Sequence, residues 1–401
     1  MEKIMKLQEL MEKLGIKECP EALYEIYENL DKTDDGAIYD PEYIKAIEDK
    51  FGILDNYYDL ILAEALEFKK NPDLVLYART VAAYNASVKT SQEARLIKLP
   101  ALDGSPERDV FPTLVALAAV PDAVIAYKER GFDDAEIKKN VSNIHENLYV
   151  LDLLIGRPTL DQGHYNWVCH YLKAMIFDHK AFNFQPFEWN GAAIFLRNKS
   201  GEIIPMVYKG RYHESGSVLG SAGCEDETGA FDADFTETDD AFIGRLVHNC
   251  RVDKELTTLK KSEWECILRE GDRVCNLHIP RSANISPDYV IESMREGLEL
   301  TKRFYPEFNI KYIVCSSWLL EPKLVEILGE GAKVSSFVNR FLKFPILSYG
   351  TSCLGYVYPG YQSGPVESFP ENTTLQRGIK KLMQEGGYIH GASGLVTELV
   401  D

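Results

Sequence analysis

Three groups of side chains have the types and spacing to do chemistry. His278 sits near the end of an apolar stretch, residues 272–280, and an imidazole titrates near neutral pH. The turn Arg281-Ser-Ala-Asn-Ile-Ser286 follows, and Pro287 opens a helical stretch to about Phe304. Cys315, Ser316 and Ser317 lie in the next apolar stretch, residues 310–320. A buried strand feeding a helix N-terminus brings unpaired N–H groups and the positive end of the helix dipole together. The spacing therefore predicts an anion site over 281–286. A pyrophosphate there gains charge-assisted hydrogen bonds, and Arg281 adds a guanidinium fork. An ordinary helix start accounts for Ser286 as N-cap, Pro287 as first helical residue and Asp288 in the first turn, but not for Arg281.

The elements that must position these groups run strand, turn, helix, strand, helix over residues 272–328. Residues 182–189 alternate with period two and read as a strand. Residues 192–197 and 202–209 read as a hairpin around Asn198-Lys-Ser-Gly201. A loop over 210–240 is glycine-rich, then acidic, and connections this long are often functional or mobile. A strand over 242–248 and a helix over 255–270, ended by Gly271, complete the approach. Beyond 328, residues 334–342 fit either helix or strand. Two strands, 344–349 and 354–358, precede a helix over 375–384 capped by Thr373 or Thr374, and residues 388–400 offer a last strand. The first 180 residues read as helical, with proline and glycine at the connections. Helices are expected at 1–14, 21–30, 41–50, 55–69, 73–87, 114–130, 133–155 and 162–175. The fold class is α+β, with a helical domain over 1–180 and a mixed sheet flanked by helices over 181–401.

Composition narrows the function. The net charge is −18, without a Lys/Arg-rich run, which argues against nucleic acid and anionic membrane as partners. No apolar run approaches the roughly 18 residues of a membrane span; the most apolar window, 113–127, is interrupted by Pro121 and Asp122. The N-terminus has no signal-peptide core, so a cytoplasmic protein is expected. The eight cysteines include no C-x-x-C pair and read as reduced thiols. The histidines lack metal-ligand spacing, and no metal is expected. Asp31, Thr33, Asp35, Gly36 and Glu42 echo an EF-hand loop, but Ile38 and weakly amphipathic flanks favour a solvated turn.

The order of strands, strand–helix–strand–helix, then strands, behind a hairpin, is that of the acyl-CoA-dependent N-acyltransferase (GNAT) fold. Residues 275–345 resemble the GNAT-like C-terminal domain that follows a helical N-terminal acyltransferase domain in a group of bacterial proteins. The matching stretches are His278-Ile-Pro280, Ile285-Ser-Pro287 with Ser293 and Phe304-Tyr-Pro306, Cys315-Ser-Ser-Trp-Leu-Leu-Glu-Pro322, Phe337-Val-Asn-Arg-Phe341 and Pro370-Glu-Asn-Thr-Thr-Leu-Gln-Arg377. The likeness is firm over 270–385 and thinner before it.

What the resemblance implies is an acyl-CoA co-substrate and a small-molecule amine acceptor. It makes Ile279, Arg281, Ser282, Ala283, Asn284, Ile285 and Ser286 the pyrophosphate loop. Where the wider fold carries glycines, this chain has Asn284 and Ser286; asparagine accepts a positive φ, and the serine offers a hydroxyl. N-acyl transfer needs a deprotonated amine, a polarised thioester carbonyl and a protonated leaving thiolate. His278 is the candidate base. Cys315 and Ser317 are candidate donors to the thioester or thiolate, and Cys315 is alternatively a covalent acyl acceptor. Two further readings stay open: a catalytically inactive GNAT-like ligand-binding or regulatory protein, and a Cys–His hydrolase built from Cys315 and His278.

Overall fold

A computed structural model describes residues 6–32 and 36–400, which form two compact units, Met1–Asp178 and His179–Asp401. The first five residues of the first expected helix lie outside this description. So do Thr33 and Asp35 of the EF-hand-like stretch.

The first unit is helical. Leu7–Leu14 buries Leu7, Leu10, Met11 and Leu14 and stops at left-handed Gly15. Asn71 caps Pro72–Ser87 by accepting the Leu74 N–H. The expected helix over 133–155 is two, Asp134–Val141 with a capping box on Asp133 and Asn143–Ile155, closed by left-handed Gly156. The expected helix over 114–130 is also two, Phe111–Ala118 and Val120–Glu129. Together with Pro106–Asp109 they form a stretch, Pro106–Glu129, that is long and apolar enough to cross a membrane. Its apolar window is 67% buried inside the protein, so it is a core helix here. Phe111 stacks on Tyr77 at 5.8 Å and meets Phe68 edge-on at 6.2 Å.

The second unit is built on two sheets. The strands of the main sheet that lie wholly within the unit run in the order Phe182–Glu188, Arg273–His278, Ile313–Ser317, Ala392–Val396 and Phe341–Pro345. Arg273–His278 and Ile313–Ser317 are parallel; the other neighbours are antiparallel. The helix Pro287–Phe304 makes the crossover between the parallel pair. It presses onto Phe182–Glu188 at Gly297, where an added Cβ would lie 2.0 Å from the Phe184 ring, so glycine is what lets the helix approach. The second sheet is antiparallel, in the order Thr257–Lys260, Ala241–His248, Ile203–Val207, Ala193–Asn198 and Trp264–Leu268. One core joins the sheets: Phe195, Val207 and Val247 from the second meet Val274, Val314, Phe344 and Leu395 from the main one. A further core, with Leu324, Cys353, Tyr358 and Phe369, lies under the helix Thr374–Gln384, whose Thr373 forms a capping box with Gln376.

Further sequence expectations change or resolve in the second unit. Residues 255–270 form strands Thr257–Lys260 and Trp264–Leu268, not a helix. Thr257 and Leu259 are half-buried while Thr258 and Lys260 are exposed; the intervening turn hides this period-two pattern. Residues 354–358 hold a short helix, Leu354–Val357, not a strand. The ambiguous 334–342 resolves into helix Lys333–Val338 and then strand Phe341–Pro345. The 210–240 connection is also more ordered than a plain loop, since Arg211–Tyr212 pairs with Phe231–Asp232.

Candidate functional site

The parallel pair is hydrogen-bonded in register only at Cys275–Ile313 and Asn276–Val314. Beyond those pairs each strand keeps only its outer neighbour: His278 opposes Asn183, and Ser317 opposes Ala392. The two strands therefore part at their carboxyl ends. This is where an open sheet containing a parallel crossover offers a crevice, next to the N-terminus of the crossover helix. The expected residues fall on both sides of it: His278 and the 279–286 loop on one strand's exit, Cys315–Ser317 on the other's.

The loop is a compact turn. The Ala283 N–H donates to the Pro280 carbonyl at 3.0 Å, and the Ser286 N–H donates to Asn284 Oδ1 at 3.1 Å. Asn284 thus works as an Asx turn and does not use the positive φ open to it. Ser286 occupies the N-cap position with extended backbone, but its side chain accepts no cap hydrogen bond. The first-turn N–H groups of Pro287–Phe304 therefore lack a side-chain cap from Ser286, as an anion site requires.

Arg281 departs from expectation. Its two Nη atoms donate to the carbonyls of Gly355 and Tyr356, at 3.2 and 2.9 Å. Those carbonyls close the short helix Leu354–Val357, whose partial negative charge takes the fork in place of an anion. Arg281 thereby straps the loop to a segment that reaches the other lip, because the Tyr356 ring lies 6.1 Å from Trp318, the residue after Ser317.

His278 Nε2 is 2.9 Å from Gln185 Oε1 on the neighbouring strand and 3.2 Å from Asn276 Nδ2 on its own, and the two amides orient the ring. Cys315 is 1% exposed, and burial pushes its thiol up to about 12. It stays protonated at neutral pH and is not a thiolate nucleophile. Burial thus disfavours the thiolate that a covalent acceptor or a Cys–His hydrolase would need. Ser316 points the other way along the strand and donates to Ser393 Oγ at 2.8 Å. Ser317 Oγ accepts the Leu319 N–H at 3.1 Å, which leaves its own proton to donate.

Sequence reading passed over His390 and Glu321. Both are buried beside the exit of Ile313–Ser317: Glu321 follows the single turn Trp318–Leu320, and His390 precedes the strand paired with Ser317. Their contacts join residues 69 and 168 positions apart, so no local spacing marks them. Among the described residues, no three His, Cys, Asp or Glu side chains cluster as metal ligands.

The second unit thus has the class of fold in which a mixed sheet parts at a parallel pair above a crossover helix. Residues 241–396 match the family model described as the GNAT-like C-terminal domain. That stretch is thus similar to a GNAT-like C-terminal domain, in agreement with the resemblance read from the sequence. No curated protein matches the chain. Among solved structures, an acyltransferase in complex with decanoyl-CoA and teicoplanin is similar at 15% identity and a TM-score of 0.65, over 98% of this chain and 99% of that one. An acyltransferase mutant in complex with octanoyl-CoA gives 14% identity and a TM-score of 0.66, over the same shares. At these identities the likeness is one of fold, and it spans both units.

Proposed function

We propose that this protein is an acyl-CoA-dependent N-acyltransferase that acylates a small-molecule amine. The observation that carries the reading is the parting of the parallel strands beside a helix N-terminus that Ser286 leaves uncapped. The similar acyltransferases were solved with decanoyl-CoA, octanoyl-CoA or CoA, which supports acyl-CoA as the donor. Teicoplanin, named in two of those complexes, supports a small-molecule acceptor.

In this reading the pyrophosphate lies on the 279–286 loop and the first turn of the helix, where N–H donors and dipole favour negative charge. Arg281 leaves the Gly355 and Tyr356 carbonyls for the phosphate oxygens, trading neutral acceptors for charged ones. The pantetheine arm runs between the parted strands and brings the thioester to the level of His278 and Ser317. The amine nitrogen attacks the carbonyl carbon, and a C–N bond forms as the C–S bond breaks. The electron pair leaves on sulfur. His278 takes the proton lost by the amine, and the Ser317 hydroxyl donates to the departing thiolate.

The test is a melting curve with millimolar acyl-CoA, followed by release of CoA thiol when a primary amine is added. A raised midpoint and amine-dependent release are expected. A well-folded sample showing no shift with any acyl-CoA overturns the reading. A second reading, a GNAT-like ligand-binding protein without turnover, is favoured by the engagement of Arg281 and His278 with protein partners. Its mark is a shift without thiol release across a panel of amines.

A further inference from the structure

The crossover unit has a cavity at the end away from the crevice. It measures about 530 Å³, within the range of small-molecule sites. Lys302, in the last turn of Pro287–Phe304, lines one side, and the chain entering the strand Ile313–Ser317 lines another. Arg197, from the strand Ala193–Asn198, lines a third. The helix rises about 22 Å between Pro287 and Lys302, so the cavity is separate from the turn at 281–286.

The polar side chains of this cavity are hydrogen donors. Three are cationic, Arg197, Lys302 and Lys311, and among the described residues no Asp or Glu lines it. Two of the three charges are matched just outside: Arg197 pairs with Glu265 at 2.8 Å and Lys302 with Glu299 at 2.7 Å. Lys311 has no carboxylate partner among the described residues. Beside it, the Tyr312 hydroxyl meets no protein acceptor among them. Burial raises the Tyr312 phenol above its usual range, so it keeps its proton at neutral pH. Asn309 turns the chain with a φ of 47° and brings an amide to the same cavity. Asp272, whose charge also reaches Tyr312, accepts the Arg269 N–H at 2.7 Å. Lys302 and Arg303 offset the negative end of the helix dipole.

We propose that this cavity is a binding site for a small organic carboxylate, distinct from the crevice. The single unmatched charge, on Lys311, suits a monoanion; a phosphate dianion would bring a second charge toward Glu265 and Glu299. The carboxylate oxygens accept from Lys311 Nζ and the Tyr312 hydroxyl, and the body of the ligand rests on Pro306 and the Tyr312 ring. The Tyr312 carbonyl meanwhile accepts the Cys275 N–H at 2.8 Å, which ties the two parallel strands together at this end. An occupant therefore braces the closed end of the strands that part at the crevice. Any effect of that bracing on acyl transfer rests on the proposed function; the site itself does not.

The experiment is calorimetric titration of benzoate into the whole chain at low salt, with amide hydrogen exchange to locate the site. Saturable binding in the millimolar range is expected, with slowed exchange over residues 309–314 and no change over 279–290. Lys311→Gln is expected to weaken benzoate about tenfold and Tyr312→Phe about threefold. Benzamide, a neutral isostere, is expected to bind about tenfold more weakly, and inorganic phosphate also more weakly than benzoate. Unchanged protection of the helix Pro287–Phe304 shows that each variant is folded. The proposal is overturned by no saturable benzoate binding, by slowed exchange elsewhere instead, by equal affinity for benzamide or tighter binding of phosphate, or by full affinity in both variants. The benzamide and phosphate comparisons use the unaltered protein and decide the matter even where a variant does not fold. Because neither acyl-CoA nor an amine is present, a failure of acyl transfer leaves this outcome unaffected.

Discussion

Ser317 and Cys315 stand two residues apart on one strand and answer differently to their surroundings. Replacing Ser317 by Ala removes the donor at the strand exit and the acceptor for the Leu319 N–H. The expected result is a loss on the order of a hundredfold in kcat with little change in KM for acyl-CoA, and about 1 kcal/mol of stability. Ser317→Thr, which keeps the hydroxyl, restores most of both. Cys315, buried and protonated, is expected to resist thiol reagents in the native protein while half-buried Cys19 and Cys266 react first. Peptide mapping of the labelled sites checks this. In the first unit, burial and then the charge of Arg95 push His170 from 6.5 down to about 4. The folded state binds the proton less well than the unfolded one. Stability is therefore full above about pH 6.5 and lost as pH falls toward about 4, by up to roughly 3 kcal/mol. Denaturant melts at pH 7 and pH 4.5, with His170→Asn as the non-titrating control, measure it. The sequence showed which residues could act, because type and spacing are local. It did not show that Arg281 is engaged, because that depends on a segment distant in the chain.

At the scale of the element, the crossover unit was the most legible part. A helix start at Ser286–Pro287, a long amphipathic run and two flanking apolar strands are strong local signals that tertiary packing then respects. The 255–270 stretch was not legible as strand, because its two short strands flank a turn and its apolar residues also fit a helical period. The hairpin gains its stability from pairing Thr257–Lys260 with Ala241–Gly244 and Trp264–Leu268 with Phe195–Asn198, which no window of sequence displays. Gly297 tests the packing of helix on sheet. Gly297→Ala would gain up to about 1 kcal/mol of helix propensity, but its Cβ would sit 2.0 Å from the Phe184 ring. Overpacking of this kind costs about 1–3 kcal/mol, so a net loss of stability is expected in urea melts. Phe184→Leu in the same background should recover part of it.

Over the whole molecule, a helical first part and a second part mixing strands and helices were anticipated in kind, because helical and strand periodicities differ along the chain, but one mixed sheet was expected where the second unit is built on two. The joining of the two sheets through one core was not, since it brings Phe195 onto Phe344 across a long sequence gap. The net charge of −18 has its own consequence. A cationic amine is drawn toward such a surface, and salt screens that attraction. The acceptor kcat/KM is expected to fall as ionic strength rises, and a neutral acceptor of similar size should show no such trend. The central claim is that acyl-CoA binds where the parallel strands part. Amide hydrogen exchange with and without millimolar acyl-CoA tests it most directly. The account expects slowed exchange over residues 279–290 and 313–320, with the Thr257–Lys260 and Trp264–Leu268 hairpin unchanged. A folded protein in which no acyl-CoA slows exchange over 279–290 would contradict it.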